Sequence, residues 1–178
     1  VVDSGWILIG GVPFLSPDLA DTINGLDGND IINALGTNDT LNGGNGNDIL
    51  NGNSGNDSLN GGAGNDTITG GTGNDTMVGG SGNDIYQVDA IGDGVTELLF
   101  GGTDTVNSSI TLGLGANVEN LNLTGIAAIN GTGNGLNNII NGNSANNTLN
   151  GLAGNDVLNG GAGNDVLNGG SDSDTLSG

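Results

Sequence analysis

A nine-residue period constrains the fold of this chain more than any other feature. From Gly25 the sequence runs through seven consecutive nonapeptides without a change of register, ending at Gln87. Five more nonapeptides run from Gly133 to Ser177. Such a period predicts a solenoid, in which each repeat is one structural unit that buries its apolar face only against neighbouring repeats.

Each nonapeptide has the same internal pattern, as in GGAGNDTIT at 61–69. Glycine recurs at positions one, two and four, Asp or Asn occupies position six, and an apolar residue occupies position eight. So much glycine excludes a helix, because each glycine costs about 1 kcal/mol in a helix interior. We expect positions seven to nine to form a short strand with position eight inward, and positions one to six to form a tight turn with positive φ.

Stacking of these repeats predicts an all-β parallel roll. One nonapeptide reverses the chain direction, so two nonapeptides complete one coil. Stacked coils form two parallel sheets over a thin core, with successive coils about 4.8 Å apart. Position seven faces outward, and on one sheet it carries an apolar row of Ile31, Ile49 and Ile85, interrupted by Thr67.

The acidic residues at position six are the candidate metal ligands. Because alternate repeats share an edge of the roll, these carboxylates are forced together. Two carboxylates about 5 Å apart at an effective dielectric near 20 repel each other by about 3 kcal/mol. A divalent cation between coils turns that repulsion into attraction, and the turns add carbonyl oxygens, which gives the oxygen-only shell that calcium prefers. The predicted ligands are Asp30, Asp39, Asp48, Asp57, Asp66, Asp75, Asp84, Asp156, Asp165 and Asp174.

Asparagine occupies two further positions of the repeat, and neither is expected to bind a ligand. At position nine we expect asparagines such as Asn33 and Asn51 to form stacked amide ladders. At position five we expect the side chain to stabilise its own turn.

Composition excludes several classes of function. The 178 residues include 20 acidic residues and no Lys, Arg, His or Cys, for a formal charge of -20. The chain therefore lacks an imidazole base, a thiol nucleophile and a guanidinium group, and its charge repels nucleic acids. Paired carboxylates can cleave glycosidic bonds. Here most carboxylates are expected to serve in the turns, and the aromatic residues that would stack on sugars are scarce. We expect no enzymatic activity and no nucleic-acid partner, with calcium ions as the counter-charge.

The repeats resemble the RTX, or hemolysin-type, calcium-binding family with its GGxGxDxUx motif. The best matches are GGAGNDTIT at 61–69, GGTGNDTMV at 70–78 and GGAGNDVLN at 160–168. The resemblance implies a right-handed parallel β-roll in which position-six carboxylates and turn carbonyls hold calcium between turns i and i+2. Asn138 and Asn147 depart from the motif, so we expect the second array to bind fewer ions more weakly.

Four regions follow from these boundaries. Residues 1–24 form an apolar N-terminal capping or assembly segment, 25–87 the first calcium roll, 88–132 a β spacer, and 133–178 the second, partly degenerate roll. In the spacer we expect longer strands and wider turns, and its length, a whole number of nonapeptides, allows the solenoid to continue. The apolar stretch from Trp6 to Leu15 is too short and broken to span a bilayer and does not have the pattern of a secretion signal.

Two functional roles remain open. The first is a secreted, extracellular or cell-surface structural protein that folds on calcium and self-associates in a filament, surface layer or adhesin. The apolar row at position seven and the open strand edges favour it, because both require cover. The alternative is the calcium-binding module of a larger enzyme or toxin exported by bacterial type I secretion, which the family resemblance also permits.

Overall fold

The repeats fold into short parallel strands. In the computed structural model, which describes residues 19–178, every regular element of that range is a β-strand. The chain divides into two compact units, one ending at Gly102 and one spanning Thr103–Gly178. Within the described range no helix is long and apolar enough to cross a membrane. The predicted all-β parallel roll is confirmed.

The first unit contains nine strands in two parallel sheets. The odd-numbered strands form one sheet in the order β1-β3-β5-β7-β9, and the even-numbered strands β2 to β8 follow one another in the other. The strands are β1 (Thr22–Asp27), β2 (Ile31–Asn33), β3 (Thr40–Asn45), β4 (Ile49–Ser54), β5 (Ser58–Ala63), β6 (Thr67–Thr72), β7 (Thr76–Ser81), β8 (Ile85–Val88) and β9 (Gly94–Thr96).

The strand register confirms that two nonapeptides make one coil in the first unit. Leu41 pairs with Leu59, and Leu59 with Met77, each two repeats further along the chain. The position-eight side chains of both sheets form the core, and each is at most 5 % exposed. They are Ile23, Ile32, Leu41, Leu50, Leu59, Ile68, Met77 and Tyr86.

Most strands of the first array are longer than the sequence predicts. β3, for example, runs from position seven of one repeat to position three of the next, so that only positions four to six remain outside strands. Gly44 at position two has a φ of 117°, which bends the chain while its register with Gly62 continues. Gly43 at position one is consequently buried, and it forms a second inward row beside position eight.

The second unit also has two parallel sheets, with β10-β12-β14-β16-β18 in one and β11-β13-β15-β17 in the other. The strands are β10 (Thr105–Ser108), β11 (Leu112–Gly113), β12 (Asn120–Leu123), β13 (Gly131–Thr132), β14 (Ile139–Asn141), β15 (Thr148–Ala153), β16 (Val157–Asn159), β17 (Val166–Ser171) and β18 (Thr175–Ser177). The row of position-eight core residues is present here too, since Ile140, Leu149 and Leu158 are fully buried. Leu176 is 48 % exposed because no coil covers β18 on its outer side.

The spacer differs from its prediction in strand length. Its strands have two to four residues, which is shorter than the six-residue strands of the arrays. The coils change length here, since Thr105 pairs with Asn120 and Asn120 with Ile139. Without Gly-Gly punctuation, the chain spends more residues in loops between strands. Spacer strands nevertheless pair in parallel with array strands inside each unit, as β9 does with β7 and β12 with β14.

Asparagine side chains connect successive coils. Position-nine residues form the predicted amide ladders: Nδ2 of Asn51 donates to Oδ1 of Asn33 at 2.9 Å. Position five differs from its prediction, because Oδ1 of Asn29 accepts the backbone N–H of Asn47 in the next coil at 2.8 Å. These side chains therefore fix the distance between coils in addition to shaping turns.

The proposed domain boundaries remain predictions. The division between Gly102 and Thr103 falls within the region assigned to the spacer. The apolar stretch from Trp6 to Leu15, with its expected capping or assembly role, lies outside the described residues.

Candidate metal centre

The position-six side chains stack in columns just before the strands begin. The structure groups the ten predicted ligands as the repeat pattern requires, although their role as ligands stays a prediction. In the first unit one column contains Asp30, Asp48, Asp66 and Asp84, and the other contains Asp39, Asp57 and Asp75. In the second unit Asp156 and Asp174 share a column, while Asp165 follows Asn147 in the other.

One oxygen of most stacked carboxylates accepts a hydrogen bond from the backbone of the preceding coil. The backbone N–H of Asp30 donates to Oδ1 of Asp48 at 2.8 Å, and the N–H of Asp39 donates to Oδ1 of Asp57 at 2.7 Å. The same bond joins Asp156 to Asp174 at 3.0 Å. The carboxylates are thus held in place by backbone groups, and this leaves the second oxygen for another partner.

The second oxygen of most of these carboxylates is buried without a hydrogen bond. Within residues 19–178 this applies to Oδ2 of Asp21, Asp30, Asp39, Asp48, Asp57, Asp66, Asp75 and Asp156. Asp66 is 0 % exposed and Asp48 is 1 % exposed, so water does not solvate them. A buried carboxylate oxygen without a partner is costly and requires a counter-charge, for which a bound ion is one explanation.

A backbone oxygen approaches several of these carboxylate oxygens. A Cβ placed on Gly43, at position one, would collide both with Oδ2 of Asp48 and with the carbonyl oxygen of Gly61 in the next coil. The same pairing of a carboxylate oxygen with a carbonyl oxygen occurs beside Gly25, Gly52, Gly61 and Gly151. Glycine at position one therefore leaves room for a carboxylate and a carbonyl to point at one place, which is the donor set that suits a calcium ion.

One repeat of the first array carries a side chain at position one. Ala34 is fully buried there, and Asp39 of the same repeat also accepts a 3.4 Å hydrogen bond from the Thr37 hydroxyl. Oδ2 of Asp39 nonetheless remains buried without a hydrogen bond.

Burial raises the pKa of several of the stacked carboxyl groups. It is the largest cause for Asp39, Asp48, Asp57, Asp75 and Asp156, and the backbone hydrogen bond lowers the pKa only in part. The pKa of Asp66 is raised from 3.8 to about 6 by burial, with the neighbouring charges of Asp84 and Asp48 adding to the shift. The columns therefore favour either protonation or a bound cation.

Asp21 extends one column beyond the predicted ligands. Its backbone N–H donates to Oδ1 of Asp39 at 2.7 Å, and its own Oδ2 is buried without a hydrogen bond. A signal was present in the sequence, because DTIN at 21–24 repeats DTLN at 39–42 at the coil spacing of two nonapeptides. No glycine occupies the five positions before Asp21, so the glycine pattern did not identify this repeat.

Asp93 lies at the other end of the same column and differs from the ligand candidates. Its Oδ1 accepts the N–H of Asp75 at 3.1 Å, and its Oδ2 accepts the N–H groups of Asp89 and Ala90 at 3.1 and 3.0 Å. Amides therefore satisfy both oxygens, and Asp93 caps the column. Only its spacing of two nonapeptide lengths from Asp75 marks it in the sequence.

Glu97 adds a buried carboxylate beside Asp84, at the end of the column that begins with Asp30. The Tyr86 hydroxyl donates to Oε1 of Glu97, and the N–H of Leu98 donates to Oε2 at 3.2 Å. Both Oε1 and the tyrosine oxygen lie beside Gly79, together with Oδ2 of Asp84. Glu97 is outside the repeats, so the nonapeptide pattern could not identify it.

Comparison with known families identifies the repeats directly. The sequence model of the RTX calcium-binding nonapeptide repeat matches in four copies, at residues 18–50, 51–86, 132–167 and 141–176. These matches cover more than half of the chain, and they include Asp21 as well as all ten predicted ligands. No curated protein matches the chain.

Proposed function

This chain belongs to the RTX calcium-binding nonapeptide-repeat family, and on that basis we propose that its carboxylate columns bind calcium and that calcium binding drives folding. The observation that carries the proposal is the row of buried Oδ2 atoms without hydrogen bonds, several of which face the carbonyl oxygen of a position-one glycine. The ligands are the ten position-six aspartates of the two arrays together with Asp21.

The chemistry of the columns favours calcium over other metals. The available donors are carboxylates and backbone carbonyls, and the chain contains no His or Cys. Oxygen ligands in a flexible set suit Ca²⁺, whereas Mg²⁺ demands stricter geometry and retains water. When bound, calcium supplies positive charge between coils, and the aspartates and glycine carbonyls orient the oxygens toward it.

Calcium binding and folding are coupled through the cost of buried charge. An uncompensated buried carboxylate costs several kcal/mol, and the first unit stacks them coil after coil. The apolar core consists of little more than one side chain per repeat. The free energy of metal binding therefore becomes folding free energy.

A calcium titration followed by circular dichroism tests this function. In chelator the first unit is expected to be disordered and the chain to show little β signal, and most of the β signal is expected to develop at about 10⁻⁴ to 10⁻³ M calcium, the range of extracellular modules. Magnesium at the same concentration should be much less effective. Asp27→Asn is a matched control, because Asp27 is exposed, lies outside the columns and accepts only the Asn45 side chain at 2.7 Å. A fully β spectrum in chelator, or the same response to magnesium, would contradict the proposal.

The wider role that we assign is that of a secreted structural protein, a building block of an extracellular filament, surface layer or adhesin. The exposed row of Ile31, Ile49 and Ile85, which are 63, 40 and 40 % exposed, supports self-association. The alternative is a calcium-binding module within a larger enzyme or toxin exported by type I secretion, a setting typical of RTX repeats. Calcium-dependent assembly of the chain itself separates the two roles.

A further inference from the structure

Asn138 occupies position six of the first repeat in the second array, where other repeats carry aspartate. It is 1 % exposed, and all its polar side-chain atoms are bonded. Nδ2 donates to the carbonyl oxygens of Val118 and Glu119 in the preceding coil, both at 3.1 Å, and Oδ1 accepts the N–H of Asn134 at 2.8 Å. The backbone N–H of Asn138 still donates to Oδ1 of Asp156 at 2.7 Å.

Asn147, at position six of the next repeat, is bonded in the same manner. Its Nδ2 donates to the carbonyl oxygen of Ile129 at 2.6 Å and to Oδ1 of Asn143 at 3.1 Å. Its Oδ1 accepts the N–H of Asn143 at 2.9 Å, and its own N–H donates to Oδ1 of Asp165 at 2.8 Å. Asn147 is 2 % exposed.

A second asparagine accompanies each of them at position two of the repeat. Nδ2 of Asn134 donates to the carbonyl oxygens of Gly115 and Val118 at 2.7 and 2.8 Å. Nδ2 of Asn143 donates to the carbonyl oxygen of Ala127 at 2.9 Å. Each of these repeats is therefore joined to the preceding coil by two amide groups.

The side-chain amides of these asparagines provide hydrogen-bond donors, which the carboxylates of the columns lack. A carboxylate has no donor and cannot bond to the carbonyl oxygens of a neighbouring coil, so a cation must join the two sets of oxygens. The Nδ2 groups of Asn138 and Asn147 instead donate to carbonyl oxygens of the preceding coil, while their Oδ1 atoms lie beside the glycine carbonyls of the following coil. We propose that these two asparagines take the place of bound calcium in joining their coils to the preceding coil, so that the coils that contain residues 118–150 form without calcium and provide a preformed edge for the calcium-dependent coils of the second unit.

This proposal rests on the proposed function for the contrast between asparagine and aspartate coils. The fully buried core residues Val118, Leu121, Ile140 and Leu149 give the asparagine coils apolar contacts that do not depend on an ion. The coil headed by Asp156 then stacks on Asn138 through the Asn138 N–H, which is already positioned.

Hydrogen exchange on the full chain, followed by mass spectrometry in chelator and in calcium, tests the proposal. Amides of 118–123 and 138–141 should stay protected in chelator, whereas those of 40–81 lose protection until calcium is added. If both regions lose protection equally in chelator, the asparagine proposal is wrong while calcium-driven folding stands. If both regions stay protected in chelator, calcium does not drive folding. The proposed function is then wrong, and so is the contrast between asparagine and aspartate coils that rests on it.

A charge-change variant provides an independent arm. Asn138→Asp places a carboxylate against the Val118 and Glu119 carbonyls, so protection of 118–123 in chelator should be lost and should return with calcium. Asn137→Asp is the matched control, because Asn137 is exposed and needs only its Oδ1 to accept the N–H of Asn155 at 2.8 Å. Unchanged protection of Asn138→Asp in chelator overturns the proposal. If the Asn138→Asp variant does not fold even in calcium, the hydrogen exchange of the wild-type chain in chelator and in calcium decides whether the proposal holds.

Discussion

The backbone N–H of Asp48 donates a 2.8 Å hydrogen bond to Oδ1 of Asp66, which lies one coil further along the chain. This bond fixes the Asp66 side chain from one side and turns its Oδ2 toward the interior, where no hydrogen bond meets it. The N–H of Asp66 makes the same bond to Oδ1 of Asp84 at 2.7 Å. Each coil thereby orients the carboxylate of the next, so backbone groups position the carboxylates within the folded column.

Position within the column should set the cost of losing a carboxylate. Asp66 has a carboxylate neighbour on each side, whereas Asp174 is partly exposed and accepts only the N–H of Asp156. Asp66→Asn should therefore lower stability in saturating calcium by about 1–3 kcal/mol, against about 0.5 kcal/mol for Asp174→Asn. Thermal unfolding and calcium titration measure the difference. Equal losses in the two variants would show that the column assignment is wrong.

The sequence predicted the main columns because strict periodicity converts directly into spatial neighbours. Asp30 and Asp48 are one coil apart in both sequence and structure. The ends of the columns were harder to predict. Asp21 lacks the flanking glycines, and Asp93 and Glu97 lie where the period is lost, so only the folded chain shows that they are close to the columns.

Glycine at position four should be required wherever another coil lies beneath it. Gly64 has a φ of 124°, and a Cβ there would collide with the carbonyl oxygen of Gly46. Gly28 has a similar φ of 118° with nothing within 4 Å of a Cβ. Gly28→Ala should cost about 1 kcal/mol from backbone strain, and Gly64→Ala about 1–3 kcal/mol more from overpacking. Chemical unfolding in saturating calcium measures both, and equal costs would mean that coil contact is not the limiting factor.

Calcium and protons should compete for the columns. The pKa of Asp66 is raised to about 6 in the folded chain, so the calcium-free fold binds a proton more tightly than the unfolded chain does. Stability of the calcium-free fold is therefore greatest at low pH and falls as pH rises from about 4 through about 6. Calcium needs the ionised carboxylate, so its midpoint concentration should rise as pH falls below about 6.

Circular dichroism at pH 4.5 and pH 7.5 checks both directions. In chelator the chain should show more β signal at the lower pH, and in calcium titrations the midpoint should be higher at the lower pH. A calcium midpoint that does not change with pH would indicate that the buried carboxylates are not the ligands.

The strand boundaries illustrate what periodicity could not provide. The pattern identifies Leu41 as inward, but it does not show that Gly43 is also inward, because glycine has no side chain from which to read a face. The spacer strands are shorter than expected, since segments such as 118–123 carry alternating residues without turn residues at fixed offsets. β12 accordingly begins only at Asn120. Alternation there predicted a strand correctly, but its length depended on the neighbouring coils.

Self-association should appear only after the roll has formed. Among residues 19–178, β1 and β2 end their sheets in the first unit and β17 and β18 end theirs in the second, and an unpaired strand edge is a template for another chain. The exposed Ile31, Ile49 and Ile85 offer a second, lateral surface. Both surfaces require folded coils, so calcium would control either contact.

Light scattering and electron microscopy with and without chelator should therefore reveal calcium-dependent assembly of the full chain. Replacing Ile31, Ile49 and Ile85 by Thr, the residue that already occupies this row at Thr67, should reduce lateral contacts while leaving end-to-end contacts through the strand edges.

Deleting residues 1–16 tests instead whether the apolar N-terminal segment contributes, because an apolar strand can add to the sheet edge of a neighbour. A heterologous end-to-end contact that does not close propagates into a filament. If the intact chain stays monomeric at high protein concentration in millimolar calcium, the building-block role fails, and the calcium-binding module of a larger secreted enzyme or toxin becomes the better assignment.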